Sequence, residues 1–472
     1  MAVSMSNEQR KTAAALLRER VPAAAEIGRL FASGGHELAL VGGLVRDVFL
    51  GQHPEGELDL ATDATPDQVL GLVTGWADKT WTVGIAFGTV GLRKGGSMFE
   101  VTTYRSEQYD RTSRKPDVQY GRSLEEDLAR RDFTINAMAA RLPGYEFTDP
   151  YRGLDALREK VLRTPGPPER SFSDDPLRIL RAARFAASLG FTVAPEVRAA
   201  MTDQAGRLEI VSAERIQGEL SRLLVAPNPS LGLGLAVETG LAEQFLPELP
   251  ALRLEQDPVQ RHKDVLRHTL AVVDGCEPDL RLRLAALLHD IGKPGTRRIT
   301  EEGVTFHHHE MEGARMAAER LRALRYPGDV VEDVTQLVEM HLRFHSYKEG
   351  WSDSALRRYV RDAGPMLDRL NALVRADCTT QNPKKARFLA SQQDEFEVRL
   401  AALAEAENLR DLRPPLDGNE IMEHLGIPPG PMVGRARDYL LDLRLERGPI
   451  ERRDALKLLD EWAAGEGLTA GG

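Results

Sequence analysis

The sequence predicts an α+β protein: a small domain built on a mixed sheet near the N-terminus, followed by a long and almost wholly helical remainder. Three observations carry this. From His36, short β-prone runs alternate with glycines and charged turns. From Asp174 onward, apolar residues recur at helical intervals nearly to the end. The 472 residues are too many for one ordinary core and favour about three domains.

Hydrophobic residues make up 42% and charged residues 28%, as in soluble globular proteins. No apolar run approaches the roughly 18 residues of a membrane span. The opening MAVSMSNEQRKTAAALLRER carries charges where a signal peptide needs an apolar stretch. A cytoplasmic location without membrane contact is expected. Cys276 and Cys378 are far apart with no CxxC spacing, which disfavours a disulfide framework or a thiolate zinc site. The net charge of −10 argues against indiscriminate nucleic-acid binding, though not against a locally basic groove.

Residues 8–33 read as one amphipathic helix, with Leu16, Leu17, Val21, Ile27, Leu30 and Phe31 at helical intervals. The runs ELALVGG, ELDLAT, FGTVGLR and MFEVTTYR read as strands. The polar stretch RSEQYDRTSRKPDVQYG, beginning at Arg105, reads as a long loop. DDPLRILRAARFAASLGF and SAERIQGELSRLLVAP read as helices, ended by Pro227 and Pro229. Eight of the eleven histidines lie between His262 and His345, where an even spread would place about two. That stretch is expected to hold a separate site.

LALVGG reads as a strand running into a glycine turn, and LVRDVFLG as the helix that follows. Gly42 and Gly43 would let backbone N–H groups approach a phosphate, with Arg46 within reach of the same anion. The string equally describes an ordinary strand–turn–helix junction. In ELDLAT, Glu57 and Asp59 fall two apart, on one face of a strand, while Leu58 and Leu60 enter the core. Alone, such a pair is usually a solvated face. Paired carboxylates are also what a Mg²⁺ site serving substrate phosphates needs. Glu100 in MFEVTTYR adds a third acid on another strand. Three carboxylates behind a glycine turn can hold two metals, one activating a hydroxyl and one stabilising a leaving oxygen.

VGGLVRD, ELDLATDATP, VTTYR, EEDLARRDFTINAMA, DDPLRILRAARF and SAERIQGEL follow in order over about 180 residues. This ordered set resembles the tRNA CCA-adding and poly(A) polymerase family, in its bacterial class II branch and closest to the actinobacterial type. The resemblance implies a polymerase-beta-like nucleotidyltransferase head over 36–170, after an N-terminal helix over 1–35. A helical neck binding nucleobase and RNA would span 171–255, an HD-type metal-binding domain 256–385, and a helical tail 386–472. It implies template-independent addition of CCA to tRNA from CTP and ATP. The alternatives are poly(A) synthesis, partial addition of CC or A, or a phosphohydrolase whose head only binds RNA.

Residue by residue, the resemblance assigns Gly42, Gly43 and Arg46 to the triphosphate, and Glu57 and Asp59 to catalytic Mg²⁺, with Glu100 as third acid. Arg131, Asp132 and Asn136 would lie beside sugar and phosphates. Arg105 and the loop after it would match a mobile element near the site. The family has Asp-x-Asp where this chain has Glu57-x-Asp59. One extra methylene moves the ligand oxygens by roughly 1 Å, which can cost about a hundredfold in rate.

Ser173-Asp174-Asp175-Pro176 has the composition of a helix start, which makes Asp175 and Arg178 neighbours on one face. A carboxylate can accept from the exocyclic amine of cytosine or adenine, and a guanidinium can donate to their ring nitrogen. U and G would leave buried groups unpaired. A surface ion pair between the two is the ordinary reading, and the resemblance reverses it. Arg181 and Arg184 continue the basic face. Arg215 and Glu219 resemble the support of that pocket, or form an intrahelical pair.

LRHTLAVVD, ALLHDIGKP, FHHHEMEGA, VEMHLRFH and VRADCTT form the second constellation. An adjacent His289-Asp290 on an apolar helix is costly to bury unless it binds something. With His268, His309 and Asp377 these residues supply the mixed imidazole–carboxylate set of a divalent transition-metal site. Their spacing resembles the HD superfamily of metal-dependent phosphohydrolases, and His341 matches a less constant ligand position. Lys293 would contact phosphate or be solvated. The implied role is hydrolysis of terminal or 2′,3′-cyclic phosphates, or a retained scaffold. In the tail, Gly430, Gly434, Arg435 and Arg437 suit an RNA backbone grip or a plain helical hairpin.

Overall fold

The computed structural model describes residues 7–52, 57–108, 117–121, 123–254, 264–300, 303–344, 350–378, 383–407 and 412–468. The chain divides into two compact units, Met1–Pro247 and Glu248–Gly472.

The first unit opens with α1 (Asn7–Arg20) and α2 (Ala24–Ser33). The single helix expected over 8–33 is therefore two. Pro22 removes a backbone donor and disfavours helical geometry in the residue before it, so the chain turns at Val21-Pro22-Ala23. Leu17, Val21, Ile27 and Phe31 are still buried.

The sheet follows: β1 (Leu38–Val41), β2 (Glu57–Thr62), β3 (Lys79–Trp81), β4 (Thr89–Lys94) and β5 (Ser97–Thr103). The paired segments β6 (Arg105–Gln108) and β7 (Asp117–Tyr120) stand apart from it, and β8 (Ala139–Arg141) and β9 (Glu146–Thr148) complete it. Among the described residues it has seven strands in the order β3-β4-β5-β2-β1-β8-β9, and β2 runs parallel to β5. The stretch expected as a loop after Tyr104 instead pairs at its ends, Arg105 opposite Tyr120 and Gln108 opposite Asp117. Its centre, residues 109–116, lies outside the described residues.

The sheet carries α3 (Gly43–Phe49), α4 (Pro66–Val73) and α5 (Leu124–Ala129) in its connections. Thr65 and Gln68 form a reciprocal capping box at the start of α4. Ala39, Val41, Ala61, Tyr104, Leu124, Leu128, Ala137 and Ala139 form one buried cluster under the sheet. Then come α6 (Gly153–Glu159), β10 (Val161–Leu162), α7 (Pro168–Asp174), α8 (Leu177–Leu189), β11 (Thr192–Val193), α9 (Pro195–Gln204), α10 (Ala213–Leu224) and α11 (Pro229–Glu238). Helix α8 packs against α10 and α11 and is apolar on most of its circumference, with Leu177, Ile179, Leu180, Ala182, Ala183 and Ala186 buried.

The second unit is helical, from α12 (Glu248–Ala251) through α13 (Val265–Gly275), α14 (Leu280–Leu288), α15 (Lys293–Thr296), α16 (His309–Ala323), α17 (Gly328–Met340), α18 (Asp353–Ala363) and α19 (Leu367–Asp377). The tail is α20 (Pro383–Glu407), α21 (Gly418–Leu425), α22 (Pro431–Arg447) and α23 (Arg452–Gly465). A hairpin, β12 (Arg297–Thr300) with β13 (Gly303–Phe306), interrupts the helices and delivers the chain to His309. It was not expected, although Ile299, Thr300, Val304 and Thr305 are the β-branched residues that favour one.

Glu407 closes α20 and receives both Arg357 (2.7 and 2.8 Å) and Arg444 (2.9 Å), all three nearly buried. Removing one member of a buried ion group leaves the others uncompensated. Glu407→Ala is expected to destabilise the protein by about 3–5 kcal/mol, seen as a lower denaturation midpoint.

Candidate functional site

The first site lies at the Gly42 turn. Gly42 has φ +74° and ψ −138°, a geometry that side-chain-bearing residues avoid. A Cβ there would also lie 2.8 Å from an Arg131 guanidinium nitrogen and 3.9 Å from an Asp59 carboxylate oxygen. Glycine is thus required twice over. Leu58 and Leu60 are buried, leaving Glu57 exposed and Asp59 half-buried on the opposite face of β2. Asp59 stands directly opposite Glu100 in the parallel pairing of β2 with β5, so the three acids share one face. Burial and the neighbouring Glu57 carboxylate raise the pKa of Asp59 against the pull of Arg131. A surplus of negative charge on one face suits a divalent cation.

Around this face the basic residues are fixed by a buried network. Arg46 grips Asp47 through Nε (2.7 Å) and a second nitrogen (3.0 Å), and donates to Asn136 Oδ1 at 2.7 Å. Asn136 Nδ2 donates to Asp132 Oδ1 (2.9 Å), and Arg181 donates twice to Asp132 Oδ2 (2.6 and 2.9 Å). Glu219, only 3% exposed, receives Arg184 (2.5 Å), Arg222 (3.1 Å) and Arg181 (3.4 Å). Arg131 is anchored to the buried Asp127 at 3.0 Å. Asp127 as an anchor is what sequence reasoning missed, whereas Glu219, expected as support of the base pocket, holds the arginines of α8. The spacing of four between Asp127 in α5 and Arg131 just beyond its end was the available signal.

The expected neighbours Asp175 and Arg178 go separate ways. Ser173 and Asp174 end α7, and Pro176 precedes α8, so the helix start falls later than the capping pattern suggested. Asp175 Oδ1 accepts from Leu177 N (3.2 Å), and its carboxylate binds Arg215 at 3.0 Å. The buried Arg178 donates to Ser171 Oγ (2.9 Å) and to the Arg130 carbonyl. Arg215 and Glu219 therefore do not pair with each other. Arg215 pairs with Asp175, and Glu219 with the arginines of α8 and with Arg222.

Burial works against a charged Asp132, but Arg181 and Asn136 hold its pKa down to about 2. A depressed folded-state value stabilises the fold above the unfolded value near 3.8, and this is lost as pH falls toward 2. Between pH 4 and 2 the protein is expected to lose about 2 kcal/mol through this group alone. Acid denaturation of Asp132→Asn should be correspondingly less steep than the parent's.

The second site gathers the six histidine-block residues. His268, His289 and Asp377 form one group of converging ligand atoms, and Asp290, His309 and His341 another, each within 4.8 Å. Asp377 Oδ1 lies 2.9 Å from His268 Nε2 and 3.5 Å from His289 Nε2, while Asp290 lies 3.2 Å from His289 and 3.5 Å from His309. Nδ1 of His289, His309 and His341 meets the carbonyls of Ala286 (2.8 Å), Phe306 (2.8 Å) and Val338 (2.6 Å). That turns each Nε2 inward. Among the described residues, all three Nε2 atoms and Asp290 Oδ1 are buried without a hydrogen-bond partner, the condition a bound ion would relieve. Burial lowers the His341 pKa to about 3. His289 is pushed up to about 10 because Asp290 and Asp377 outweigh its burial.

Gly292 permits the second site: a Cβ there would lie 2.2 Å from the His309 carbonyl oxygen. Lys293 is not solvated but pairs with Asp290 at 2.6 Å. In the tail, Arg435 is held by Glu466 at 2.6 Å, Gly434 lies inside α22, and only Gly430 precedes that helix.

Residues 38–163 match the poly A polymerase head domain, 190–252 the probable RNA- and SrmB-binding site of polymerase A, and 265–381 the HD domain. A CCA-adding enzyme of Anoxybacillus flavithermus is 42% identical over 222 residues, 47% of this chain and 54% of that protein. Against such curated CCA-adding enzymes the chain spans about half their length. An A-adding tRNA nucleotidyltransferase of Deinococcus radiodurans is 34% identical over 360 residues, 72% of this chain and 80% of the relative. The crystal structure of the Bacillus stearothermophilus CCA-adding enzyme in complex with CTP superposes with a TM-score of 0.69 at 26% identity. The match covers 95% of this chain and 98% of that one. The class is thereby defined as a nucleotidyltransferase head followed by helical domains that include an HD domain. The chain belongs to the class II tRNA CCA-adding enzyme and poly(A) polymerase family.

Proposed function

We propose that this protein adds C, C and then A to the 3′ end of tRNA, using CTP and ATP and releasing pyrophosphate. The carrying observation is the shared face of Glu57, Asp59 and Glu100 beside the Gly42 turn. Glu57 and Asp59 would hold Mg²⁺, with Glu100 as third acid. The metal, when bound, activates the attacking hydroxyl and neutralises charge on the phosphates. Gly42, Gly43 and Arg46 orient the triphosphate, and Arg131 and Asn136 border the sugar and phosphates. Asp132 works from behind, holding Arg181 and Asn136 in place. Asp175 accepts from the exocyclic amine of C or A, exchanging Arg215 for the base, and Arg178 donates to the base on leaving Ser171 and the Arg130 carbonyl. Arg181, Arg184 and Arg215 complete the basic lining.

The Deinococcus relative supports a second reading, addition of the terminal A alone. Three tRNA substrates separate the two: one lacking CCA, one ending in C and one ending in CC, each with single nucleotides. Addition of C, C, then A with arrest supports the main reading, and A added only to the CC end supports the second. Unlimited A addition sinks both. For the second unit we propose that His268, His289, Asp290, His309, His341 and Asp377 would hold a divalent transition metal, which would supply an activated water for hydrolysis of terminal or 2′,3′-cyclic phosphates of RNA ends.

A further inference from the structure

Phe185 lies on α8, 3% exposed, with three guanidinium groups around its ring. Arg184 is 3.9 Å from the ring centroid, Arg46 5.3 Å and Arg181 5.6 Å. Three cations round one centre repel, and no one of the named polar partners holds all three. Arg184 is held by Glu219, Arg181 by Glu219 and Asp132, and Arg46 by Asp47 and Asn136. The ring is the element common to all three, offering the guanidinium groups over it a π face that a leucine lacks. It also meets the Phe133 ring edge-on, with centroids 5.6 Å apart. Phe133 adjoins Asp132 in the segment that carries Asn136, so the ring braces that segment as well.

Arg46 follows the glycine turn, at the proposed triphosphate end of the nucleotide site, and Arg181 and Arg184 lie on α8, at its proposed base end. We propose that Phe185 is a positioning residue that locks Arg46, Arg181 and Arg184 into one bracket, setting the spacing between the triphosphate and base ends of the site. The inference rests on the reading that Arg46 binds the triphosphate. Loss of the ring would weaken binding of CTP and ATP alike, in ground state and transition state equally, so KM should move and kcat should not.

The test compares Phe185→Leu, Phe185→Met and Phe185→Tyr in the full chain, with steady-state kinetics for CTP and ATP and a thermal unfolding midpoint for each. The leucine variant should raise both KM values by about tenfold with kcat within about threefold, and the tyrosine variant should stay near the parent. If the leucine variant fails to fold, the methionine variant is read by the same split. In an Arg46→Ala background the leucine substitution should have a much smaller effect, because the two residues act as a unit. Parental KM values in the leucine and methionine variants, or equal KM increases in leucine and tyrosine variants, would overturn the inference. Parental KM values in Arg46→Ala would instead overturn the triphosphate reading on which it rests.

Discussion

Asp59→Ala is expected to leave a folded protein that incorporates nucleotide at least about a thousandfold more slowly than the parent. Asp59 stands opposite Glu100 on the neighbouring strand and two residues from Glu57, on the face that the Gly42 turn overlooks. Like charges about 5 Å apart repel by roughly 3 kcal/mol at an effective dielectric constant near 20. A cation between them converts that repulsion into binding, and without Asp59 the remaining two acids lose the central ligand. Asp59→Asn keeps the volume and removes only the charge, so it should be nearly as inactive. Because the folded-state pKa of Asp59 is raised, its ionised form destabilises the fold at neutral pH. Both variants should therefore melt no lower than the parent, which separates lost chemistry from lost folding. Glu57→Asp shortens a ligand by one methylene and should remain active, within about tenfold of the parent. Parental activity in Asp59→Ala would refute the site.

Strands β1, β2, β4 and β5 were legible because their residues alternate or cluster in the way half-buried strands require. Strands β3, β8 and β9 have three residues each, too few to show a period. They form because the sheet offers them an edge. The break at Pro22 was written in the sequence, but the apolar spacing on either side of it suggested continuity. What could not be read was partner choice over distance. Arg215 and Glu219 are four apart on α10 and invite each other, yet each pairs with a residue about 40 positions away. Asp175 and Arg178 remain in one turn, with Arg178 N donating to the Asp175 carbonyl at 3.0 Å, but their side chains take different partners because Arg178 turns inward to Ser171 and the Arg130 carbonyl. Local spacing states which pairs are possible, and burial of a charge decides which one forms. The histidine block was more legible, since six residues of metal-binding type had few other reasons to sit on apolar helices.

His289→Ala is expected to abolish tight binding of a divalent transition metal by the second unit. His289 has no exposed surface, and its Nε2 atom faces both Asp290 and Asp377, so it joins the two ligand groups. Leaving a buried polar atom unpaired costs about 1–3 kcal/mol, and four such atoms converge here. An ion relieves all four at once, which is why affinity for Mn²⁺, Co²⁺, Ni²⁺ or Zn²⁺ should be high. The carbonyls of Ala286, Phe306 and Val338 have already oriented the rings, so little reorganisation opposes binding. Losing an outer partner of a metal ligand typically weakens affinity by about 10–100-fold, and losing a shared ligand should exceed that. Binding to the folded state alone stabilises it by about 4 kcal/mol at a thousandfold excess over Kd. The parent should therefore retain metal through dialysis and melt higher when loaded, while the variant should do neither. The two proteins are separable by elemental analysis and by melting with and without a chelator. A parent that retains no metal and melts identically in both conditions would leave the six residues a scaffold, and the phosphohydrolase reading would fall with them.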